Sequence, residues 1–139
     1  MRYLVTGKEM KEIDKRSIED FGIPSMVLME RAALKVAEKA EEILKKKEAG
    51  TRKKGTVWAV CGLGNNGADG VAAARMLFLH GFHVSVILPG TEGKKSAEME
   101  AQLAIAAKLK IPVFTAEDFI PGSCDLIIDA VFGIGLSRD

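Results

Sequence analysis

Cysteine, histidine and net charge are all scarce in this 139-residue chain, and each scarcity excludes a class of protein. The two cysteines, Cys61 and Cys124, stand far apart and outside any C-x-x-C pair. They read as reduced thiols of a cytoplasmic protein, not as a disulfide framework. His80 and His83 are the only histidines. They lack a partner at metal-ligand spacing and read as surface or strand-edge residues. A net charge of +1 gives no reason to expect nucleic acid or a membrane surface as partner. No apolar run is long enough to span a bilayer. The opening "MRYLVTGKEM" lacks the sustained apolar stretch of a signal peptide. What remains is an ordinary soluble composition, 47% hydrophobic and 28% charged, at a length that suits one domain with a real core.

Two amphipathic helices are expected first. Thr6 and Glu9 form a T-x-x-E capping box, followed by Met10, Ile13, Ile18 and Phe21 at helical spacing, with Gly22 as a stop. Ser25 is the expected cap of the second helix. Its apolar stripe is Met29, Ala33, Val36, Ala40, Ile43 and Leu44, supported by the pairs Glu41–Lys45 and Glu42–Lys46. The basic run "KKKEAGTRKK" reads as a solvated helix end and linker.

Strand and helix then alternate. "TVWAVC" reads as a buried strand, about Asp69 to His80 as a helix, and "HVSVIL" as a second strand. A helix over Ser96 to Leu109, a short strand "IPVF" and the strand "CDLIIDAVF" follow. This order predicts an α/β fold: a three-layer, Rossmann-like parallel sheet preceded by two helices. Strands of a parallel sheet share one C-terminal edge, and ligands bind outside it. Two glycine-rich loops fall there, "GLGNNGADG" and "FGIGLSRD". Glycines let backbone approach a ligand, and a helix N-terminus favours an anion such as phosphate.

The first loop holds a literal G-x-G-x-x-G at Gly62, Gly64 and Gly67. An ordinary dinucleotide fold needs an acid at the end of the second strand, about 20 residues on, to hold the ribose. Pro89 and Gly90 stand there instead, with Glu92 a distant substitute. The polar residues carry more information. Asn65 and Asn66 suit a turn or a ligand contact, and Asp69 suits a helix cap or a ligand contact. Asp129, in an apolar strand, needs a cation, a donor group or a proton if it is buried. Asn66 and Asp129, meeting at the shared edge, would offer two oxygens to a hard cation. Backbone N–H groups of the neighbouring loop would serve Asp129 equally well.

"GLGNNGADG" resembles the G-x-G-N-N-G-G-D-G loop of the NAD(P)H-hydrate epimerases, the YjeF N-terminal domain. "IIDAVFGIGLSRD" is similar to that family's D-A-[IL]-F-G-[TI]-G-L-x-R segment, and "MKEIDKRSIEDFGIPSMVLMERAA" to its opening helices. The resemblance identifies residues 1–139 as a domain of this kind, ending before the family's V-D-x-P-S-G segment. It implies epimerisation of the R and S forms of hydrated NADH and NADPH (NADHX and NADPHX), with potassium as cofactor. A catalytically inactive nucleotide-binding or scaffold module of the same fold is the alternative.

By position, the resemblance assigns substrate contacts to Asn65, Asn66, Gly67, Ala68 and Asp69. It assigns Gly133, Ile134, Gly135, Leu136, Ser137, Arg138 and Asp139 to the substrate's phosphates, and Asn66 and Asp129 to potassium. It assigns no catalytic residue within this chain. The family's usual catalytic aspartate and a potassium-site serine belong to V-D-x-P-S-G. The expectation is that the 139-residue chain self-associates, or needs a C-terminal piece, and is inactive alone. Ala68 and Ala33 each stand where the family has glycine. The Ala68 methyl is tolerable only if φ there is negative.

Overall fold

The computed structural model describes residues 6–50, 53–90 and 93–132. Helix α1 (Gly7–Glu19) opens with the expected capping box: Glu9 N–H donates to Thr6 Oγ1 at 3.1 Å, and Thr6 N–H to Glu9 Oε2 at 2.7 Å. Gly22, at φ +69°, makes the turn into α2 (Ser25–Lys47). The cap of α2 is Pro24, not Ser25. Ser25 already lies in the helix, and its hydroxyl donates to Glu98 Oε1 at 2.8 Å. The buried stripe of α2 is Met29, Ala33, Ala37, Ala40 and Leu44. Val36 and Ile43, placed in that stripe by the sequence, are exposed, because α2 docks on a helix through small residues along one narrow seam. Ala33, fully buried, lies on that seam.

Strands β1 (Thr56–Cys61), β2 (His83–Leu88), β3 (Val113–Thr115) and β4 (Leu126–Ala130) form one parallel sheet in the order β3-β2-β1-β4. Helices α3 (Asn65–Leu79) and α4 (Ala97–Lys108) connect β1 to β2 and β2 to β3. Both crossovers step the same way along the sheet. The right-handed rule therefore puts both helices on one face. Val57, Ala59 and Cys61 of β1 face them and are fully buried, with α3 packed against β1, β2 and β4, and α2 and α4 packed against α3. The β3–β4 connection steps back across the sheet and so covers the other face. Phe119 in that connection meets Trp58 edge-on, with ring centroids 5.0 Å apart. The sheet is thus parallel α/β with two leading helices, as expected. Among the described residues its second face carries coil in place of the helix of a full third layer.

Among the described residues, strand β4 pairs only with β1 and is an edge. Its burial alternates: Ala130 is buried, Leu126 and Ile128 are half-buried, and Ile127 and Asp129 are exposed. The apolar run alone does not show that one side of this strand is exposed. The open face accounts for it.

Candidate functional site

The C-terminal edge of the sheet opens into a cleft of about 960 Å³. Its walls are α1, the start of α2, the first turns of α3 and the end of β4, represented by Val131 and Phe132. Helix α3 begins at Asn65, four residues before the start expected from sequence. Gly64 is its N-cap and offers no side-chain hydrogen bond, and the first turn holds no acidic residue. The leading N–H groups of α3 are therefore open to a ligand, and an anion suits them.

The glycines of the loop are explained by close approach. A Cβ on Gly62 would stand 2.6 Å from Val131 O. One on Gly67 would stand 1.8 Å from Gly62 O, and one on Gly70 would stand 2.5 Å from Ala130 Cβ. Gly64 alone in the G-x-G-x-x-G has open space around it. Ala68 sits in the helix, where φ is negative, and its methyl is fully buried. The strain that a positive φ would have caused does not arise.

Asn66 Nδ2 donates to Phe132 O at 2.8 Å, stitching the first glycine loop to the segment after β4. Among the described residues its amide oxygen has no hydrogen-bond partner. Asn65, Asn66, Gly67 and Asp69 all line the cleft. Asp129 lies at the same edge, in register with Val60, but on the open face of the sheet. Its Oδ1 accepts the Val131 N–H at 3.2 Å. Asp129 is exposed, not buried: among the described residues no helix covers the outer face of β4. No group of three or more His, Cys, Asp or Glu residues gathers at metal-binding distance among the described residues. Gly133, Ile134, Gly135, Leu136, Ser137, Arg138 and Asp139 lie outside the described residues.

Asp69 differs most from its sequence reading. It is the fifth residue of α3 and caps nothing. It is half-buried, with no hydrogen-bond partner among the described residues. Loss of hydration on burial, and then the charge of Asp14, push its carboxyl up from 3.8 to about 6. Burial also raises the Cys61 thiol to about 12, which makes it an inert core group.

Sequence reasoning missed the contribution of α1. Lys11, Asp14, Lys15 and Ile18 recur at i, i+3, i+4 and i+7 and line the cleft. The apolar residues Met10, Ile13 and Phe21, which had drawn attention, point to solvent. A search for polar periodicity would have found the inward stripe. Beneath the cleft, Glu30 of α2 accepts from Arg75 Nη2 of α3 and, at 3.3 Å, from Gln102 Nε2 of α4. This locks the three helices together.

The sequence matches the family described as "YjeF-related protein N-terminus" over residues 25–139. It is 43% identical over 135 residues to a protein of Limosilactobacillus reuteri named NAD(P)H-hydrate epimerase, covering 97% of this chain and 60% of that one. A protein of the same name from Oenococcus oeni is 41% identical, with 97% and 61% covered. The crystal structure of yeast ynu0 superposes with a TM-score of 0.81 at 27% identity, over 99% of this chain and 60% of that one. The chain thus spans about 60% of the length of these relatives. Motifs, fold and match agree: the chain belongs to the YjeF N-terminal family.

Proposed function

We propose that this chain binds NADHX and NADPHX, the hydrated forms of NADH and NADPH, and interconverts their R and S epimers. The observation that carries the reading is the cleft at the glycine loop, in a chain 43% identical to a protein named for this activity. Asn65 to Asp69 would contact the hydrated ring. The open N–H groups at the start of α3 would take a phosphate oxygen, and the segment Gly133 to Asp139 would take the rest of the diphosphate.

Potassium fits the donors at this edge. The Asn66 nitrogen is held by Phe132 O, and its amide oxygen has no hydrogen-bond partner among the described residues. Asp129 is exposed and has one oxygen engaged by Val131 N–H. Both are hard oxygen donors of the kind such a cation prefers. Asn66 and Asp129 would hold the ion, which would supply fixed positive charge beside the substrate's phosphates.

The test starts from purified R-NADHX and follows appearance of the S form on a chiral or enzymatic readout. Catalysed interconversion above the spontaneous rate supports the reading. Binding without turnover favours a nucleotide-binding module, and absence of binding refutes the site.

A further inference from the structure

We infer that Lys11 and Lys15 on α1 set the nucleotide preference of this cleft, by taking the 2′-phosphate that NADPHX carries and NADHX lacks. The inference rests on the proposed function and deepens it, from two hydrates to a choice between them. Lys11 and Lys15 stand one turn apart on the face of α1 that lines the cleft. Among the described residues, the walls from α2, α3 and the end of β4 bring no cation of their own. The chain does not neutralise the pair. Among the described residues neither lysine holds a hydrogen bond or an ion pair, although Asp14 follows Lys11, and Glu19 follows Lys15, at helical pairing distance. Lys39, Lys45 and Lys46 of α2 do hold acids at that spacing. Both cleft lysines are exposed, and the flexible lysine stem lets each ammonium reach for a ligand.

The division of the cleft fits a dinucleotide with a further phosphate. The first turn of α3 takes the diphosphate in the proposed reading. The α2 wall is apolar, through Leu28, Met29 and Ala32, and offers a surface to a base. The α1 wall carries the remaining positive charge. A phosphate monoester brings about two negative charges at pH 7, which two ammonium groups match. The ribose hydroxyl of NADHX at the same place is a much weaker partner for a cation. Asp14 shares the α1 wall, but its charge reaches Asp69, which puts it toward α3. The end of β2 points the same way. Ordinary dinucleotide folds keep an acid there that holds an unphosphorylated ribose and repels a 2′-phosphate. Here Pro89 and Gly90 follow β2.

Calorimetry tests the pair with the whole chain, using NADHX and NADPHX, with NAD⁺ and NADP⁺ as stable probes. Both side chains are exposed, so Lys11→Gln/Lys15→Gln should fold, which circular dichroism confirms. The unmodified chain should bind NADPHX about 10-fold more tightly than NADHX at low salt, and added salt should shrink the difference. The Gln variant should bind the two hydrates equally, with the loss falling on NADPHX. Lys11→Arg/Lys15→Arg should keep the preference, because arginine also holds phosphate. Equal affinities in the unmodified chain, or a preference that survives in the Gln variant, overturn the subsite and leave the proposed function intact. An equal loss for both hydrates in the Gln variant also overturns it, and assigns the lysines to the shared diphosphate. Failure of both hydrates to bind removes the proposed function. In that case tighter binding of NADP⁺ than NAD⁺, lost in the Gln variant, still supports the lysines, and its absence overturns them.

Discussion

Replacing Gly67 with alanine tests whether the glycine loop is built for backbone contact. The added methyl would stand 1.8 Å from the carbonyl oxygen of Gly62 and 2.6 Å from its carbon. Ordinary van der Waals contact begins at 3.4 Å, so one backbone segment must retreat by well over an ångström. Neither can do so freely. Gly67 is in the first turn of α3, and Gly62 N–H is tied to Ala130 O at 3.0 Å. Overpacking of a fixed core typically costs about 1–3 kcal/mol and more where backbone must move, so at least about 3 kcal/mol is expected. For a domain of this size that lowers Tm by about 10 °C. Urea denaturation read by circular dichroism gives the free energy directly. Gly64→Ala is the internal control. It has open space and φ −92°, so it should be neutral or stabilising by about 0.5 kcal/mol through the unfolded chain. Equal effects at the two positions, or a Gly67→Ala cost below about 0.5 kcal/mol, would refute the close-approach account.

Asp69 also sets a pH dependence of stability. Its folded carboxyl holds the proton more tightly than the unfolded one, so ionisation weakens the fold as pH rises from about 4 to about 6. Asp69→Asn should therefore exceed the unmodified chain in Tm at pH 7.5 and match it at pH 3.5. The same difference at both pH values would count against the shift. Glu30→Ala should cost about 2 kcal/mol, because it strands an Arg75 side chain that is only 15% exposed; Glu30 is itself 40% exposed, which keeps the figure below that of a fully buried pair. Restoration of most of that loss in Glu30→Ala/Arg75→Met, by urea melts, would confirm the coupling, and simple additivity would deny it. Asp129→Ala should abolish any potassium dependence of NADHX affinity, measured by calorimetry in potassium against a bulky organic cation. An unchanged potassium response would rule out the assignment.

The strands were legible where sequence pattern and environment agree. "TVWAVC" and "HVSVIL" are β1 and β2 to the residue, because short β-branched runs between turn signals have few alternatives. The start of α3 was not legible. Asn65, Asn66 and Gly67 have poor helix propensity, and tertiary contacts that no local window contains hold them helical. Asp129 was misplaced for a related reason. An apolar run does not say whether its strand is central or at an edge, and only the order β3-β2-β1-β4 exposes it. The family motifs pointed to the asparagines of the cleft, but α1's contribution depended on how a helix docks. All four residues that looked like its buried face, Met10, Ile13, Ile18 and Phe21, are exposed, and of these Ile18 borders the cleft.

The tight seating of α3 has a thermodynamic consequence. Hydrogen is the only group at position 70 that fits against Ala130 and Cys61, so the helix cannot slide on the sheet without losing that contact. The amides at its tip are aimed before any ligand arrives. A ligand meeting them loses its own freedom but freezes little of the protein's, and a larger share of each hydrogen bond survives as affinity.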